Sequence, residues 1–255
     1  MAKLSASLLL LFVATAARAE WKVASTQTEA SPARGLEHRH VVVENSNGGD
    51  RASLELAVFS AKSCRLRLVD QPSEPRFDLA DVMRLGKYLA GVNGGYFDPN
   101  YAPVGLLICD GRVVAPLRKA RLLSGILSVA NGEVRLQRAA EFSRKSNVTE
   151  AVQAGPFLVD RAKTVSGLDD LRLARRTFVA VGAQNQIALG FCTQVSLAQL
   201  AAILAAPDVA GGLKVQRALN LDGGSSSAFW FADEGQPFSI SEQKTVRDFI
   251  AVAPR

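Results

Sequence analysis

The stretch ALNLDGGSSSAFWF, residues 218–231, joins a short strand pattern to a glycine corner. Its leucines alternate with Asn220 and Asp222, which is the spacing of a strand with one apolar and one polar face. Gly223 and Gly224 permit backbone angles closed to other residues, so successive N–H groups can form an anion-binding concavity beside three serine hydroxyls. The stretch therefore predicts a carboxylate held next to an anion site.

A hairpin is the simpler interpretation of these residues. Asp-Gly between two alternating apolar runs is a strong hairpin signal, and Asp222 could cap such a turn through its own backbone. A second strand-to-glycine corner occurs at Asn93-Gly94-Gly95, before a loop that begins at Asp98. Asn93 alone is as consistent with an Asx-turn as with a substrate contact. Two corners of one kind nevertheless favour a site over a chance turn.

The first nineteen residues, MAKLSASLLLLFVATAARA, predict a secretory signal peptide. Lys3 precedes an apolar run, and an Ala-Arg-Ala cleavage signal ends at residue 19. The run is shorter than the roughly 20 residues needed to cross a bilayer, and no later segment comes closer, so we expect no membrane span. Glu20 after the cut argues against a lipoprotein. We expect a secreted or periplasmic protein.

Charge limits the partners. Loss of residues 1–19 removes two of the 30 basic residues, which leaves 28 against 24 acidic ones and a net charge of +4. The arginines lack the interleaved aromatic residues of a nucleic-acid groove. A sugar phosphate or an anionic envelope glycan fits this bias better than nucleic acid, and the sequence leaves the oligomeric state open.

The cysteines and histidines exclude several site classes. The three cysteines lie far apart in apolar runs, so we expect them to be buried, with at most one disulfide among them. The only histidines, His38 and His40, would share a face of a strand, but no third ligand is clustered with them. We interpret them as surface residues rather than metal ligands. So few histidines, without a G-x-S-x-G motif, make a Ser-His-Asp triad an unsuitable model.

The chain after the signal predicts one domain. Residues 20–39 are expected to form an extended or loosely held arm, and residues 40–255 a single α+β domain. This domain is predicted to be a mixed, mainly antiparallel β-sheet with a few helices packed on it. The expected elements are strands at 40–44, 52–59 and 65–69, a helix from Asp78 to Leu89 closed by Gly91, hairpins around Asp110-Gly111 and Asn131-Gly132, a strand pair at 177–182 and 187–192, and a helix that begins with a capping box at Ser196 and stops at Pro207.

Six segments carry a family resemblance that runs from about residue 40 to residue 252. They are NGGYFD at 93–98, GLLICDGRVV at 105–114, QAGPFLV at 153–159, RTFVAVG at 176–182, the helix at 197–205, and LNLDGGSSS at 219–227. In this order they resemble the phosphodiester glycosidase family. The resemblance implies a secreted hydrolase that cleaves a sugar 1-phosphodiester at the glycosidic bond and releases sugar and a phosphate monoester.

The resemblance also implies roles for individual residues. A phosphate departs readily with its negative charge, so such a site needs an arginine and N–H groups more than a strong acid. Asp222 would act at the anomeric carbon as nucleophile or base, and Asp98 is the second carboxylate. The expected substrate-binding residues are Arg176, Gly223, Gly224, Ser225 and Ser226 for the phosphate, and Asn93, Gly94 and Gln153 for the sugar.

Two alternatives remain at the level of sequence. One is a non-catalytic domain that binds an envelope polysaccharide or sugar phosphate, and the other is a phosphodiesterase that cuts the P–O bond. Oxygen ligands at Asp98 and Asp222 would suit a hard divalent cation, but no cation-binding loop is visible, so no metal or other cofactor is assigned.

Overall fold

The computed structural model describes residues 20–31, 33–143, 147–209 and 212–255, so the predicted signal peptide lies outside the described residues. Two α-helices, α1 (Leu79–Leu85) and α2 (Leu197–Ala205), accompany a large set of strands. The strands are β1 (Trp21–Ala30), β2 (Leu36–Asn45), β3 (Arg51–Ser60), β4 (Cys64–Asp70), β5 (Ala90–Asn93), β6 (Leu107–Cys109), β7 (Arg112–Ala115), β8 (Gly125–Ala130), β9 (Glu133–Arg138), β10 (Val148–Ala154), β11 (Phe157–Asp160), β12 (Lys163–Thr164), β13 (Ala174–Val181), β14 (Gln186–Val195), β15 (Arg217–Asn220), β16 (Phe229–Phe231), β17 (Phe238–Ile240) and β18 (Asp248–Pro254).

These strands form three sheets. The first has the order β1-β2-β3-β14-β13-β15-β11-β12, the second β7-β6-β10-β8-β9, and the third β17-β16-β5-β18-β4. Neighbouring strands within them run antiparallel. The prediction of a single α+β domain, mainly antiparallel with a few helices, is confirmed.

The core lies in layers set by these sheets. The largest cluster of buried residues joins the inner face of the first sheet, including Leu219, to both five-stranded sheets, including Leu127 and Ile250. Helix α2 covers the opposite face of the first sheet, where Leu200 belongs to one cluster with the β13 and β14 side chains. Helix α1 covers the outer face of the third sheet. The ends of strands from different sheets therefore lie close together at the edges of one shared core.

Local turn chemistry predicted the hairpins and the helix start correctly. Asp110-Gly111 joins β6 to β7 and Asn131-Gly132 joins β8 to β9, with all four residues at positive φ. Strands β13 and β14 pair as expected. The capping box at Ser196 is present, since its hydroxyl accepts a 3.0 Å hydrogen bond from the Gln199 N–H.

The predicted end of the first helix is wrong. Helix α1 stops at Leu85 with Gly86 as its C-cap, and Gly91 lies inside β5. Strand pairing overrides the helical spacing because residues 90–93 lie between β16 and β18. Gly91 is needed for close packing: a Cβ there would lie 2.3 Å from the sulfur of Met83.

The N-terminal segment and His38 also differ from expectation. Residues 21–30 are extended but form β1, an edge strand paired with β2 that buries Trp21. His38 is buried rather than on the surface, and its Nε2 lies 2.9 Å from Oε2 of Glu55. His40 Nδ1 contacts the other oxygen of Glu55 at 2.7 Å. The three cysteines are buried, as expected, and all are free thiols.

Candidate active site

The glycine corner after β15 connects two sheets and is not a hairpin. Strand β15 belongs to the first sheet, whereas β16, the next strand, pairs with β5 and β17 in the third. Gly224 has φ +64°, in the left-handed region, and begins a 3₁₀ turn that ends at Ser226. Gly223 is constrained by space, because a Cβ there would lie 3.2 Å from the carbonyl oxygen of Arg175. The chain therefore leaves the first sheet after Asn220, just before Asp222.

Asp222 lies half-buried at this corner, and its Oδ1 accepts a 2.9 Å hydrogen bond from the Gly223 N–H. Burial raises the pKa of its carboxyl, while the nearby Ser226 hydroxyl, the Gly223 N–H and the positive charge of Lys244 counteract part of that rise. A carboxylate with a raised pKa and an exposed edge has the properties of a base or nucleophile.

The two corners seen in the sequence meet in space. The Asp222 N–H donates to the carbonyl oxygen of Gly94 at 3.1 Å, and Asn93 Nδ2 donates to the carbonyl oxygen of Asp222 at 2.8 Å. The Oδ1 of Asn93 accepts hydrogen bonds from the Thr177 hydroxyl and the Ala228 N–H. Asn93 is completely buried, so it joins three segments of backbone and has no surface for a sugar.

Gln153 has a similar buried position. Its Oε1 accepts from the N–H groups of Leu106 and Arg118, both at 3.0 Å, and its Nε2 donates to the carbonyl oxygens of Arg118 and Leu123. Because the amide is fully engaged and 1% exposed, it holds the loop before β8 against β10. The expected contact of Gln153 with sugar hydroxyls is not available in this arrangement.

Asp98 caps its own loop. Its Oδ1 accepts hydrogen bonds of 2.8 Å from the Asn100 N–H and 2.9 Å from the Ala102 N–H. The loop is closed by a further backbone bond from the Asp98 N–H to the Ala102 carbonyl oxygen. At least one oxygen of the expected second carboxylate therefore has a structural role.

Arg175 and Arg176 lie on opposite faces of β13. Arg176 is buried, with Nε donating to the Val195 carbonyl at 3.0 Å and Nη2 to the Arg172 carbonyl at 2.6 Å. Arg175 instead reaches the glycine corner, where its Nη2 donates to the carbonyl oxygens of Ser227 and Ser241. Arg176, the expected phosphate ligand, therefore lies on the face of β13 opposite to Arg175 and does not reach the corner directly.

Tyr96 connects the corner to the charge of Arg176. Its hydroxyl donates to the carbonyl oxygen of Gly155 at 2.5 Å and accepts from Nδ2 of Asn220 at 3.0 Å. Burial and the charge of Asp222 raise the pKa of the Tyr96 phenol, and Asn220 and Arg176 act in the opposite direction. Tyr96 thus remains a neutral hydrogen-bonding group between the two.

Sequence reasoning missed two ionisable residues in the C-terminal segment. Asp248 is 1% exposed at the start of β18; its Oδ1 accepts from the Gly95 N–H, and its Oδ2 has no hydrogen-bond partner among the described residues. Burial raises its pKa to about 7, helped by the charges of Asp70 and Asp222. Lys244 is exposed, with Nζ 5.1 Å from the centre of the Phe97 ring. The one available sequence signal for Asp248 was its position as a charged residue directly before the apolar run FIAVA.

Other site classes receive no support in the ranges given above. No three His, Cys, Asp or Glu side chains among the described residues are placed to hold a metal ion together. None of the helices in this part of the chain has the length and apolar character needed to traverse a membrane.

Comparison with known proteins decides the family. A family model described as phosphodiester glycosidase matches residues 86–253. The chain belongs to this family. An 89-residue segment is 33% identical to the uncharacterized protein YigE of Escherichia coli K12, covering 32% of the chain and 35% of YigE. The match thus spans about a third of that relative.

Two solved structures of the same fold extend over most of the chain. The catalytic domain of the zebrafish N-acetylglucosamine-1-phosphodiester alpha-N-acetylglucosaminidase, described as auto-inhibited by its pro-peptide, superposes with a TM-score of 0.66 at 14% identity, covering 90% of this chain and 88% of that one. A Synechocystis protein gives 0.61 at 16% identity, with 92% and 68% covered. These likenesses concern the fold alone.

Proposed function

We propose that this phosphodiester glycosidase hydrolyses a sugar 1-phosphodiester at the anomeric C–O bond. The observation that carries the proposal is the position of Asp222, a half-buried carboxylate with raised pKa at the LDGGSS corner, beside the exposed cation Lys244. The membership of the chain in the family supports the reaction class. The site supports this reaction more specifically than the fold does, because a fold of this kind can host more than one chemistry.

The roles follow from the charges that develop in the reaction. Asp222 attacks the anomeric carbon or activates water there, and its exposed edge admits the substrate. The departing phosphate is stabilised by Lys244 and by the backbone N–H groups of Gly224 and Ser225, so no strong acid is required. Ser225 is the partly exposed serine of the three and is placed to donate to the phosphate, while Ser226 supports Asp222 from within.

The buried residues position this machinery. Asn93 and Gly94 hold the backbone of Asp222, and Gln153 holds the loop next to it, so we propose that their effect on turnover is indirect. Arg176 supplies a fixed positive charge behind Tyr96. Asp98 remains the proposed second carboxylate, through the oxygen that does not cap its loop.

Product analysis in oxygen-18 water tests the proposal. The exported protein is incubated with sugar 1-phosphodiesters and the products are measured by mass spectrometry. Label in the released sugar means cleavage of the C–O bond and supports the proposal. Label in the phosphate means P–O cleavage and contradicts it. Saturable binding without products after long incubation would identify a non-catalytic binding domain. A secreted or periplasmic location is part of the same proposal and rests on the signal-peptide pattern of residues 1–19.

A further inference from the structure

Two exposed loops combine leucines with basic residues; the first contains no acidic residue, and the second directly follows Asp169 and Asp170. The first loop, PLRKARL at 116–122, is exposed along its whole length, with Leu117 at 43% and Leu122 at 51%. The second, LRL at 171–173, exposes Leu171 at 91% and Leu173 at 56%. Four of the nine large apolar side chains that are exposed in the described ranges lie on these two loops. Such a concentration indicates an interaction surface rather than scattered surface residues.

The sheet places the two loops on either side of the Asp222 corner. Strand β15, which leads to Asp222, lies between β13 and β11, with Asn220 opposite Phe178 and Leu219 opposite Phe157. The 171–173 loop leads into β13 at this edge of the sheet. Because neighbouring strands are about 4.8 Å apart, β13 and β11 frame the corner within roughly 10 Å.

The 116–122 loop is fixed on the β11 side. Gly155 lies just before β11, and a Cβ on it would lie 2.0 Å from the carbonyl oxygen of Leu122. The backbone of Arg118 is bonded twice to the buried Gln153. The base of the loop is thus anchored, and its side chains point to the exterior.

The cations on these loops are uncommitted. The side chains of Arg118, Lys119, Arg121 and Arg172 form no ion pair with the acidic residues of the described ranges. Many other arginines of the protein are paired, for example Arg217 with Glu141 at 2.7 Å. Four unpaired cations next to four exposed leucines form an amphiphilic rim around the corner. This rim consists of residues 116–122 and 171–173.

We propose that this amphiphilic rim docks on the surface of an anionic phospholipid bilayer. The leucines enter the headgroup region and the cations face the lipid phosphates, which brings the Asp222 corner to the level of the headgroups. A soluble polyanion would be complementary to the cations but would leave the leucines in water, so the bilayer accounts for both features. The docking does not depend on turnover, and its failure would leave the proposed reaction untouched.

Vesicle sedimentation tests the docking. The exported protein, with its N-terminus determined so that no signal peptide contributes, is mixed with vesicles of phosphatidylcholine alone or with phosphatidylglycerol added. We expect binding to the anionic vesicles that weakens with salt. Arg118→Gln combined with Arg121→Gln should lower the partition coefficient about fivefold for each charge removed. Leu122→Ser combined with Leu171→Ser should lower it severalfold at unchanged charge.

The matched control is Leu85→Ser, which removes a 72% exposed leucine from the C-terminal end of α1. Leu85 precedes the start of β5, whereas the glycine corner follows the other end of that strand. It should bind as the parent does. Melting temperatures of all variants show that each is folded. No binding to anionic vesicles, or equal binding by the rim variants and the parent, would overturn the proposal. Binding that needs the cations but not the leucines, and that soluble polyphosphate abolishes, would also overturn it in favour of an anionic polymer.

Discussion

The N–H of Gly95 donates a 2.9 Å hydrogen bond to Oδ1 of Asp248 and so joins the corner after β5 to the start of β18. The Gly94 N–H donates to the backbone carbonyl of the same aspartate at 2.9 Å, and the carbonyl oxygen of Gly94 in turn accepts from the Asp222 N–H. Asp248 thus fixes the segment against which Asp222 is held. With a pKa of about 7, its carboxyl gains or loses its proton in the neutral range.

Asp248→Asn should flatten the pH dependence of stability. The pKa of about 7 in the folded protein lies above the ordinary value of 3.8, so the folded state holds a proton that the unfolded state has released between these pH values. The stability of the parent should therefore fall as pH rises from about 4 to about 7. Asparagine keeps the acceptor for Gly95 and does not titrate. Melting temperatures measured from pH 4.5 to 8 should fall less steeply for the variant.

Glu150→Gln is the matched control, because burial also raises the pKa of Glu150 to about 7, on β10 of the second sheet. It should flatten the stability profile in the same direction without moving the pH–rate profile. Asp248→Asn should change the rate profile near neutral pH rather than on the acid limb, because Asp248 is protonated on the acid limb and its charge develops beside Asp222 only as pH approaches about 7. Identical rate profiles for the parent and Asp248→Asn would separate Asp248 from the site.

The turn residues predicted the local structure correctly where the interactions that determine it are close in sequence. Asp110-Gly111 needs only its own backbone angles to form a hairpin, and the sequence predicts it correctly. Asp248 was missed because its hydrogen bond is to Gly95, 153 positions away along the chain. Lys244 was missed because its charge acts on Asp222 only through the fold. Asn93 was selected at a strand-to-glycine corner and Gln153 in a segment of the family resemblance, but a sequence pattern does not say whether an amide faces a ligand or the protein's own backbone.

The arginine pair shows how a single residue of register decides a site. Successive side chains of a strand point to opposite faces of the sheet, so only one of the two arginines can face the corner. Arg176 was assigned that place because it begins the segment RTFVAVG that carries the family resemblance, whereas Arg175 has it in the structure.

Arg176→Lys should reduce stability more than it reduces turnover. Lysine cannot reproduce the two fixed N–H donors that reach the carbonyls of Val195 and Arg172, and those buried acceptors would be left without partners. We expect a fall in melting temperature of several degrees, with kcat/KM within about tenfold of the parent. Arg175→Lys removes the bonds to the corner itself and should lower kcat/KM further. A larger loss of kcat/KM in Arg176→Lys than in Arg175→Lys would instead support Arg176 as the phosphate ligand.

Lys244→Gln should move the acid limb of the kcat/KM profile to higher pH. The positive charge of Lys244 lowers the pKa of Asp222, so its removal raises that pKa and a higher pH is needed to form the carboxylate. The value of KM for phosphodiesters should also rise, since the cation faces the phosphate. Lys62→Gln, an exposed lysine in the turn between β3 and β4, is the control and should leave both quantities unchanged. An unshifted limb in Lys244→Gln would contradict the proposed interaction.

Asp222→Asn tests the catalytic carboxylate directly. Asparagine has nearly the same shape, and its Oδ1 can still accept the hydrogen bond from the Gly223 N–H, so the corner should keep its conformation. Because burial disfavours the charged form of Asp222, its loss should leave the melting temperature unchanged or slightly higher. Turnover should fall about a thousandfold or more, while binding of the phosphodiester persists through Lys244 and the corner N–H groups.

The comparison for Asp222→Asn is Asp110→Asn, in an Asp-Gly turn that joins β6 to β7 as an ordinary hairpin. Asp110 is exposed and pairs with Arg67 on the surface, so its loss should change neither turnover nor the melting temperature by much. Similar turnover in the two variants would mean that Asp222, like Asp110, only shapes a turn. A large loss of turnover confined to Asp222→Asn, with substrate still bound, is the result that a carboxylate acting at the anomeric carbon requires.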